Sequence, residues 1–281
     1  MYKLDPMEWA DCYTPEELIK ELFRQLPKLS FPIPLHKIAK SCGIEAIVDI
    51  ATLPDVEEEP SAKFPPGFLI DENKERGFIF YKDFPDAPYR KRFTIAHELA
   101  HFLFPHHRNH LTHADLEAGS VGKNASTPER EREANDFANE LLLPKHLFMK
   151  AIEGKEITLQ FIKELSELTE FSVAPLANNC VKSLPEKALA VVHSYNFGQC
   201  SYIWANWDAL PGEFSFWKKE LLPEKSIFNS LTEFSEELVT EKQLTNDSWF
   251  KSLPDDFDGK IYEQTYFQKN GYAITLISVD C

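Results

Sequence analysis

Basic residues are scarce in this chain of 281 residues compared with acidic ones. Lysine and arginine number 30 against 45 aspartates and glutamates, which gives a formal net charge of −15 at pH 7. A chain with this charge repels phosphate backbones and anionic lipid surfaces. The composition therefore argues against direct nucleic-acid binding and against attachment to an acidic membrane.

Cysteine is also scarce, and long apolar runs are missing. No run approaches the roughly 18 apolar residues of a membrane span, and the first residues lack the basic and then apolar pattern of a secretory signal. The five cysteines are odd in number and form no CxxC pair, which favours free thiols in a reducing compartment. They are Cys12, Cys42, Cys180, Cys200 and Cys281. We expect a soluble, cytoplasmic protein.

Internal repeats and low-complexity tracts are missing too, so the chain is not a solenoid or a disordered linker. Apolar residues make up 43% and charged residues 27%, which is typical of globular domains. The pattern changes from helical to strand-like near residues 150–185. We therefore predict a first domain over residues 1–150, a helical connector over 151–184 and a C-terminal α+β domain over 185–281.

Helices are predicted where apolar residues recur at helical spacing between capping residues and a proline or glycine. They cover residues 15–25, 34–41, 88–104, 127–143, 145–152, 158–168 and 172–182. Strands are predicted in short apolar, β-branched or aromatic runs. They cover residues 44–50, 67–70, 77–81, 188–195, 201–207, 261–268 and 272–279. A charged turn separates 67–70 from 77–81, which indicates a hairpin.

The strongest motif is the HExxH sequence HELAH at residues 97–101, inside a predicted helix. Residues four apart lie one turn apart on the same helix face, so His97 and His101 can bind one metal ion. Glu98 is not a ligand in this geometry, but it can take a proton from water at that ion. An apolar stripe that includes Ile95 and Leu99 anchors the helix, and the histidines face roughly the opposite side. The alternative, two idle histidines on a solvated face, explains the motif less well.

A hydrolytic zinc site needs a third protein ligand and one open position. One source is the polar stretch that follows the motif, which contains His106, His107, His110 and His113. The other source is a carboxylate on the helix with the sequence EREANDFANELLLP, at residues 131–144. Pro105 should break the first helix before His107, so the carboxylate is the better supported choice.

Helical projection favours Glu131 among the carboxylates of this second helix. Glu131 and Asn135 lie one turn apart at the edge of its apolar stripe, whereas Glu129, Glu133 and Glu140 point roughly away from that stripe. A carboxylate at a half-buried position is costly without a cation. Asn135 is placed to orient a metal ligand. The alternative is an exposed acidic helix face with Glu131 unpaired.

Two strings resemble the active-site helices of the ImmA/IrrE family of zinc metallopeptidases. RKRFTIAHELAH at 90–101 is similar to R-x-R-F-T-x-A-H-E-x-x-H, and EREANDFANELLLP is similar to E-x-x-A-N-x-F-A-x-x-L-L-x-P. The resemblance implies a gluzincin-like site with His97, His101 and Glu131 as zinc ligands and Glu98 as general base. It also implies an α+β zincin-like domain with a small sheet, and a C-terminal sensor-like domain related to GAF or PAS folds.

Members of this family are typically bacterial or phage proteins that cleave a cognate helix-turn-helix repressor. The resemblance therefore implies a protein substrate, a transcriptional repressor, whose cleavage controls gene expression. Two alternatives stay open: a catalytically silent regulator on a zincin scaffold, and a zinc hydrolase of a small molecule. The donor for the developing oxyanion is undecided among Tyr81 and four histidines. These histidines are His106, His107, His110 and His113.

Overall fold

The computed structural model describes residues 2–52, 67–70, 76–85, 87–107, 127–195, 198–230, 238–240, 242–245, 247–268 and 271–280. The chain divides into two compact units. The first is Met1–Phe148 with Leu168–Phe171, and the second is Met149–Glu167 with Ser172–Cys281. None of the helices in the described ranges combines the length and the apolar character that a membrane crossing requires.

The first unit is built from helices and a small mixed sheet. Its helices are α1 (Pro15–Gln25), α2 (Leu35–Ser41), α3 (Arg90–Leu103) and α4 (Pro128–Leu142). Its strands are β1 (Ile44–Asp49), β2 (Gly67–Ile70) and β3 (Gly77–Tyr81), in the order β1-β3-β2. Strand β1 is parallel to β3 and β2 is antiparallel to it, so the predicted hairpin is confirmed.

Local signals explain where the helices of this unit begin and end. Thr14 caps α1 in a reciprocal capping box with Glu17, and the Thr127 side chain accepts a hydrogen bond from the backbone N–H of Arg130 at the start of α4. Both arrangements satisfy backbone donors that the first turn leaves without partners. Helix α3 ends at Leu103 because Phe104 is extended, as expected for a residue before proline.

Helix α3 is enclosed on more sides than its sequence pattern suggests. It contacts α2, α4, β2 and β3. A Cβ atom on Gly77 would lie 2.9 Å from the Phe102 ring, so only glycine allows β3 to approach α3 this closely. The predicted apolar stripe is buried, but His101 on the other side is only 5% exposed. The apolar stripe therefore anchors α3 as expected, and the opposite side, which carries the histidines, is covered by α4.

The N-terminal half of α3 is fixed by a half-buried arginine. Arg92 Nη2 donates a hydrogen bond to the backbone carbonyl of Ile33 at 2.6 Å, and Nη1 pairs with Glu170 at 2.8 Å. Burial lowers the pKa of Arg92. The guanidinium thus connects the start of α3 with the segment that precedes α2.

The remaining helices and strands follow in chain order, and the strands belong to the second unit. The helices are α5 (Lys145–Ile152), α6 (Leu159–Thr169), α7 (Val173–Ser183) and α8 (Ile227–Ser230). The strands are β4 (Leu189–Tyr195), β5 (Gln199–Ala205), β6 (Leu238–Val239), β7 (Gln243–Leu244), β8 (Lys260–Phe267) and β9 (Tyr272–Asp280). They form an antiparallel sheet of order β5-β4-β9-β8-β6, with β7 also paired to β8.

The core of this second sheet is aromatic. Phe214, Trp249 and Phe267 are among its most buried side chains. Glu263 is fully buried among them, and its carboxylate accepts hydrogen bonds from Ser226 Oγ at 2.6 Å and Trp249 Nε1 at 3.0 Å. These partners stabilise a carboxylate that would otherwise be costly to bury.

One buried histidine of the second unit makes stability depend on pH. His193 Nε2 lies 2.9 Å from Asn178 Oδ1, and its ring stacks on Tyr202 at 4.0 Å. Burial lowers its pKa to about 4, whereas an unfolded histidine titrates near about 6.5. The unfolded chain therefore binds more protons below about pH 6.5, and the free energy of unfolding falls by up to about 1.4 kcal/mol per pH unit as pH drops toward 4.

Denaturant unfolding, followed by tryptophan fluorescence between pH 4.5 and 7.5, measures this effect. The variant His193→Gln keeps an amide donor for Asn178 and cannot titrate, so its stability should decline less steeply on acidification. The comparison with wild type removes the contribution of other histidines. Parallel curves for the two proteins would contradict the assignment.

Candidate metal centre

Three of the predicted ligands converge in the first unit. His97 Nε2 lies 3.1 Å from His101 Nε2. Glu131 Oε2 lies 3.2 Å from His97 Nε2, and Glu131 Oε1 lies 3.4 Å from His101 Nε2. Tetrahedral zinc with bonds near 2.05 Å separates neighbouring ligand atoms by about 3.3 Å. Two imidazoles and one carboxylate at this spacing fit a zinc ion, with one position left for water.

The positions of the three ligands on helices α3 and α4 explain why they converge. His97 and His101 are one turn apart on α3, and Glu131 lies in the first turn of α4, where its backbone N–H donates to the carbonyl of Thr127 at 3.1 Å. A carboxylate near a helix N-terminus is stabilised by the helix dipole. The packing of α4 on α3 then brings the carboxylate to the histidines.

The surroundings keep His97 neutral and oriented. Burial lowers its pKa, although Glu131 and the hydrogen bond to Asn135 act in the opposite direction. The Nδ1 atom lies 3.0 Å from Asn135 Oδ1. The amide oxygen can only accept, so Nδ1 carries the proton and the Nε2 lone pair faces the centre. This contact is the one expected of Asn135 from its position on α4.

Glu98 is the buried acid of the site. Its residue is 7% exposed, and burial together with the negative charge of Glu131 raises its pKa to about 8. A carboxyl group that titrates near neutral pH can exchange protons efficiently. A divalent cation held by the three ligands would favour the ionised form and so lower this pKa.

A second cluster lies next to the first. After Pro105 the chain forms a short 3₁₀ helix, Pro105–His107, and His107 is fully buried. Glu133 Oε2 lies 3.0 Å from His106 Nε2 and 2.8 Å from His107 Nε2. Burial opposes ionisation of Glu133, but the hydrogen bonds from both histidines lower its pKa overall. Burial also lowers the pKa of His107.

This cluster bears on two expectations. The projection that directed Glu133 away from the apolar stripe of α4 could not include the 3₁₀ helix, which meets Glu133 from the side. His107 is also a poor oxyanion donor, because Glu133 engages its Nε2 and its Nδ1 lies 3.1 Å from His101 Nδ1. Sequence reasoning missed the contact between His101 and His107, for which the adjacent His106–His107 pair after a proline is the only signal.

Of the other candidate oxyanion donors, the structure describes Tyr81 and His106, and His106 contacts Glu133. Tyr81 ends β3, and the charges that act on its hydroxyl are those of Asp49, Lys91 and Asp83. Among the residues that the structure describes, no hydrogen bond joins Tyr81 to the three ligands. His110 and His113 lie outside the described residues.

Comparison with known proteins agrees with the geometry. Residues 55–177 match the model of the Peptidase_M78 family, described as the IrrE N-terminal-like domain, and this segment contains both α3 and α4. No curated protein matches the chain. The family indicates a metallopeptidase. The match of residues 55–177 to the IrrE N-terminal-like domain therefore confirms the resemblance of the two helices to ImmA/IrrE proteins.

Proposed function

We propose that the protein is a zinc-dependent endopeptidase that cleaves a helix-turn-helix transcriptional repressor and thereby controls gene expression. One observation carries the proposal: the convergence of His97, His101 and Glu131 at zinc-ligand spacing, with buried Glu98 on the same helix. The family match supplies the reaction class, since the matched domain is that of a peptidase family.

The residues divide the chemistry between them. Zinc held by the three ligands would lower the pKa of a water molecule and polarise the scissile carbonyl. Glu98 takes a proton from the attacking water and gives it to the leaving amine as the C–N bond breaks. Asn135 holds His97 in the tautomer that presents Nε2. Burial of Glu98 and His101 limits access of bulk water to the site.

Charge supports a repressor as the substrate. A helix-turn-helix protein carries a positive surface for DNA phosphates, and a chain with a net charge of −15 attracts such a surface. The same charge opposes direct DNA binding by this chain. For residues 185–281 we propose a sensory or regulatory domain of GAF or PAS type. Its antiparallel sheet, in which β4 and β9 are central neighbours, supports this assignment.

Removal and return of metal test the proposed reaction. The zinc-loaded protein is incubated with a panel of purified helix-turn-helix repressors in ¹⁸O-labelled water, and products are read by mass spectrometry. Hydrolysis should yield discrete fragments with one labelled oxygen in the new carboxylate. Chelator should abolish cleavage and added zinc should restore it.

Two other outcomes would favour the competing functions. Tight binding of a repressor without cleavage would favour a silent regulator on a zincin scaffold. Hydrolysis of small esters or amides, with every repressor left intact, would favour a small-molecule hydrolase. The intact Glu98 argues against the first alternative, because a docking scaffold has no use for a buried acid beside a metal site.

A further inference from the structure

His101 is linked to α4 by a second route besides the metal centre. Its Nε2 belongs to the triangle of ligands, and its Nδ1 lies 3.1 Å from Nδ1 of His107. The other ring nitrogen of His107, Nε2, lies 2.8 Å from Glu133 Oε2. A continuous chain of hydrogen-bond distances therefore runs from His101 through His107 to Glu133.

The protons in this chain can be placed by elimination. A histidine that binds a metal through Nε2 keeps its proton on Nδ1, so His101 can only donate toward His107. His107 Nδ1 must then accept, which leaves the proton of a neutral ring on Nε2. That proton faces the carboxylate of Glu133, which can only accept. Each of the three groups thus has the tautomer or charge that its neighbour requires.

We propose that His107 and Glu133 are positioning residues for the metal ligand His101. His107 accepts the hydrogen bond from His101 Nδ1, and Glu133 fixes the tautomer of His107 that makes this possible. The anionic end of the chain also increases the electron density on His101 and strengthens its bond to the metal. The proposal rests on the metal-ligand part of the proposed function and not on peptidase activity.

The same assignment of protons to the ring nitrogens argues against a second metal ion at His106, His107 and Glu133. A metal on His107 Nε2 would move the proton of that ring to Nδ1. Two N–H groups, those of His101 and His107, would then face each other across 3.1 Å. The contacts of Glu133 at 2.8 and 3.0 Å are ordinary hydrogen-bond distances, which the imidazole N–H groups satisfy without a metal ion.

The arrangement makes α4 responsible for both imidazoles of the site. Asn135 accepts directly from His97, whereas Glu133, two residues earlier, acts on His101 through His107. A single helix thereby supplies one ligand, Glu131, and sets the orientation of the other two. Loss of the indirect route should weaken metal binding while the fold of the metal-free protein is kept.

Zinc affinity of four variants tests the proposal. His107→Leu removes the acceptor for His101, and we expect the zinc dissociation constant, measured by chelator competition, to rise about 10- to 100-fold. His107→Asn can place an amide oxygen near the former Nδ1, so most of the affinity should return. Glu133→Gln preserves volume and should weaken zinc binding about 3- to 10-fold. His106→Leu is the matched control and should bind zinc nearly as wild type does. His106 contacts Glu133, but no described hydrogen bond joins it to His101.

The spectrum of the Co²⁺-substituted protein and the thermal midpoint of the metal-free protein complete the test. His107→Leu should alter the Co²⁺ absorption bands, whereas its metal-free midpoint should stay close to that of wild type. An unchanged zinc affinity in His107→Leu would overturn the proposal, and so would a second equivalent of metal in wild type that Glu133→Gln loses. If His107→Leu does not fold, the affinity of Glu133→Gln relative to His106→Leu decides.

Zinc affinity and substrate cleavage together distinguish failure of the positioning role from failure of the proposed function. Weakened zinc binding in His107→Leu, with no substrate cleaved by wild type, would support the positioning role and contradict the peptidase. Wild type that binds no zinc at all would overturn both.

Discussion

Glu98→Gln should bind zinc as wild type does and cleave its substrate about 10²- to 10⁴-fold more slowly, the range that a general acid–base residue contributes. The three ligand side chains are untouched, and glutamine has nearly the volume of glutamate. The amide cannot accept the proton of the attacking water. The loss should therefore appear in kcat more than in KM, because proton transfer belongs to the transition state.

The fold of this variant should be intact, and burial explains why. Glu98 is 7% exposed, and its surroundings raise its pKa to about 8, which means that they disfavour its ionised form. A neutral amide avoids this penalty. The metal-free variant should unfold at the same temperature as wild type or above it.

Elemental analysis measures the zinc content of Glu98→Gln, steady-state kinetics its cleavage rate, and thermal unfolding its stability. Glu140→Gln on α4 is the matched control, because it makes the same chemical change at an exposed position. Near-normal cleavage by Glu98→Gln would exclude Glu98 as the general base. Loss of zinc from this variant would instead indicate that Glu98 supports the ligands.

The elements that the sequence predicts well are those set by local interactions. Helix α3 differs from its predicted range by two residues at its start and one at its end. The proline and threonine signals around α4 act within one turn, so they can be read from neighbouring residues. The juxtaposition of His97 and His101 is of the same kind, since any α-helix places residues i and i+4 one turn apart.

The position of Glu131 could be predicted because an apolar stripe shows which face of α4 turns inward. The position of Glu133 could not be predicted in this way. Its neighbours, His106 and His107, come from a different segment, and their placement depends on the direction of the chain after Pro105. A helical projection contains no information about such a segment.

The burial of the second side of α3 could not be predicted from the sequence of that helix alone. The hydrophobic stripe marks one buried side, but the other side is covered by α4 through contacts that include the polar pair His97 and Asn135. Polar residues packed against each other give no apolar signal. The strands of the first unit show the same limit: each can be recognised alone, but the parallel pairing of β1 with β3 arises from long-range packing.

Glu131→Ala should abolish stable zinc binding, and this is the largest effect on the metal that we expect. Two imidazoles alone do not form a hydrolytic zinc site, which needs three protein ligands. Wild type should retain about one zinc ion after dialysis, whereas Glu131→Ala and His101→Ala should retain essentially none. Glu140→Ala, which changes an exposed glutamate on the same helix, should behave as wild type.

Thermal unfolding gives an independent measure of the same loss. A ligand at 1,000 times its dissociation constant stabilises the folded state by about 4 kcal/mol, so added zinc should raise the midpoint of wild type by several degrees and leave that of Glu131→Ala unchanged. Full zinc retention by Glu131→Ala would mean that the third ligand comes from elsewhere. His110 and His113 would then be the first residues to replace, because both lie in the polar stretch between α3 and α4 and carry imidazoles that could complete the site.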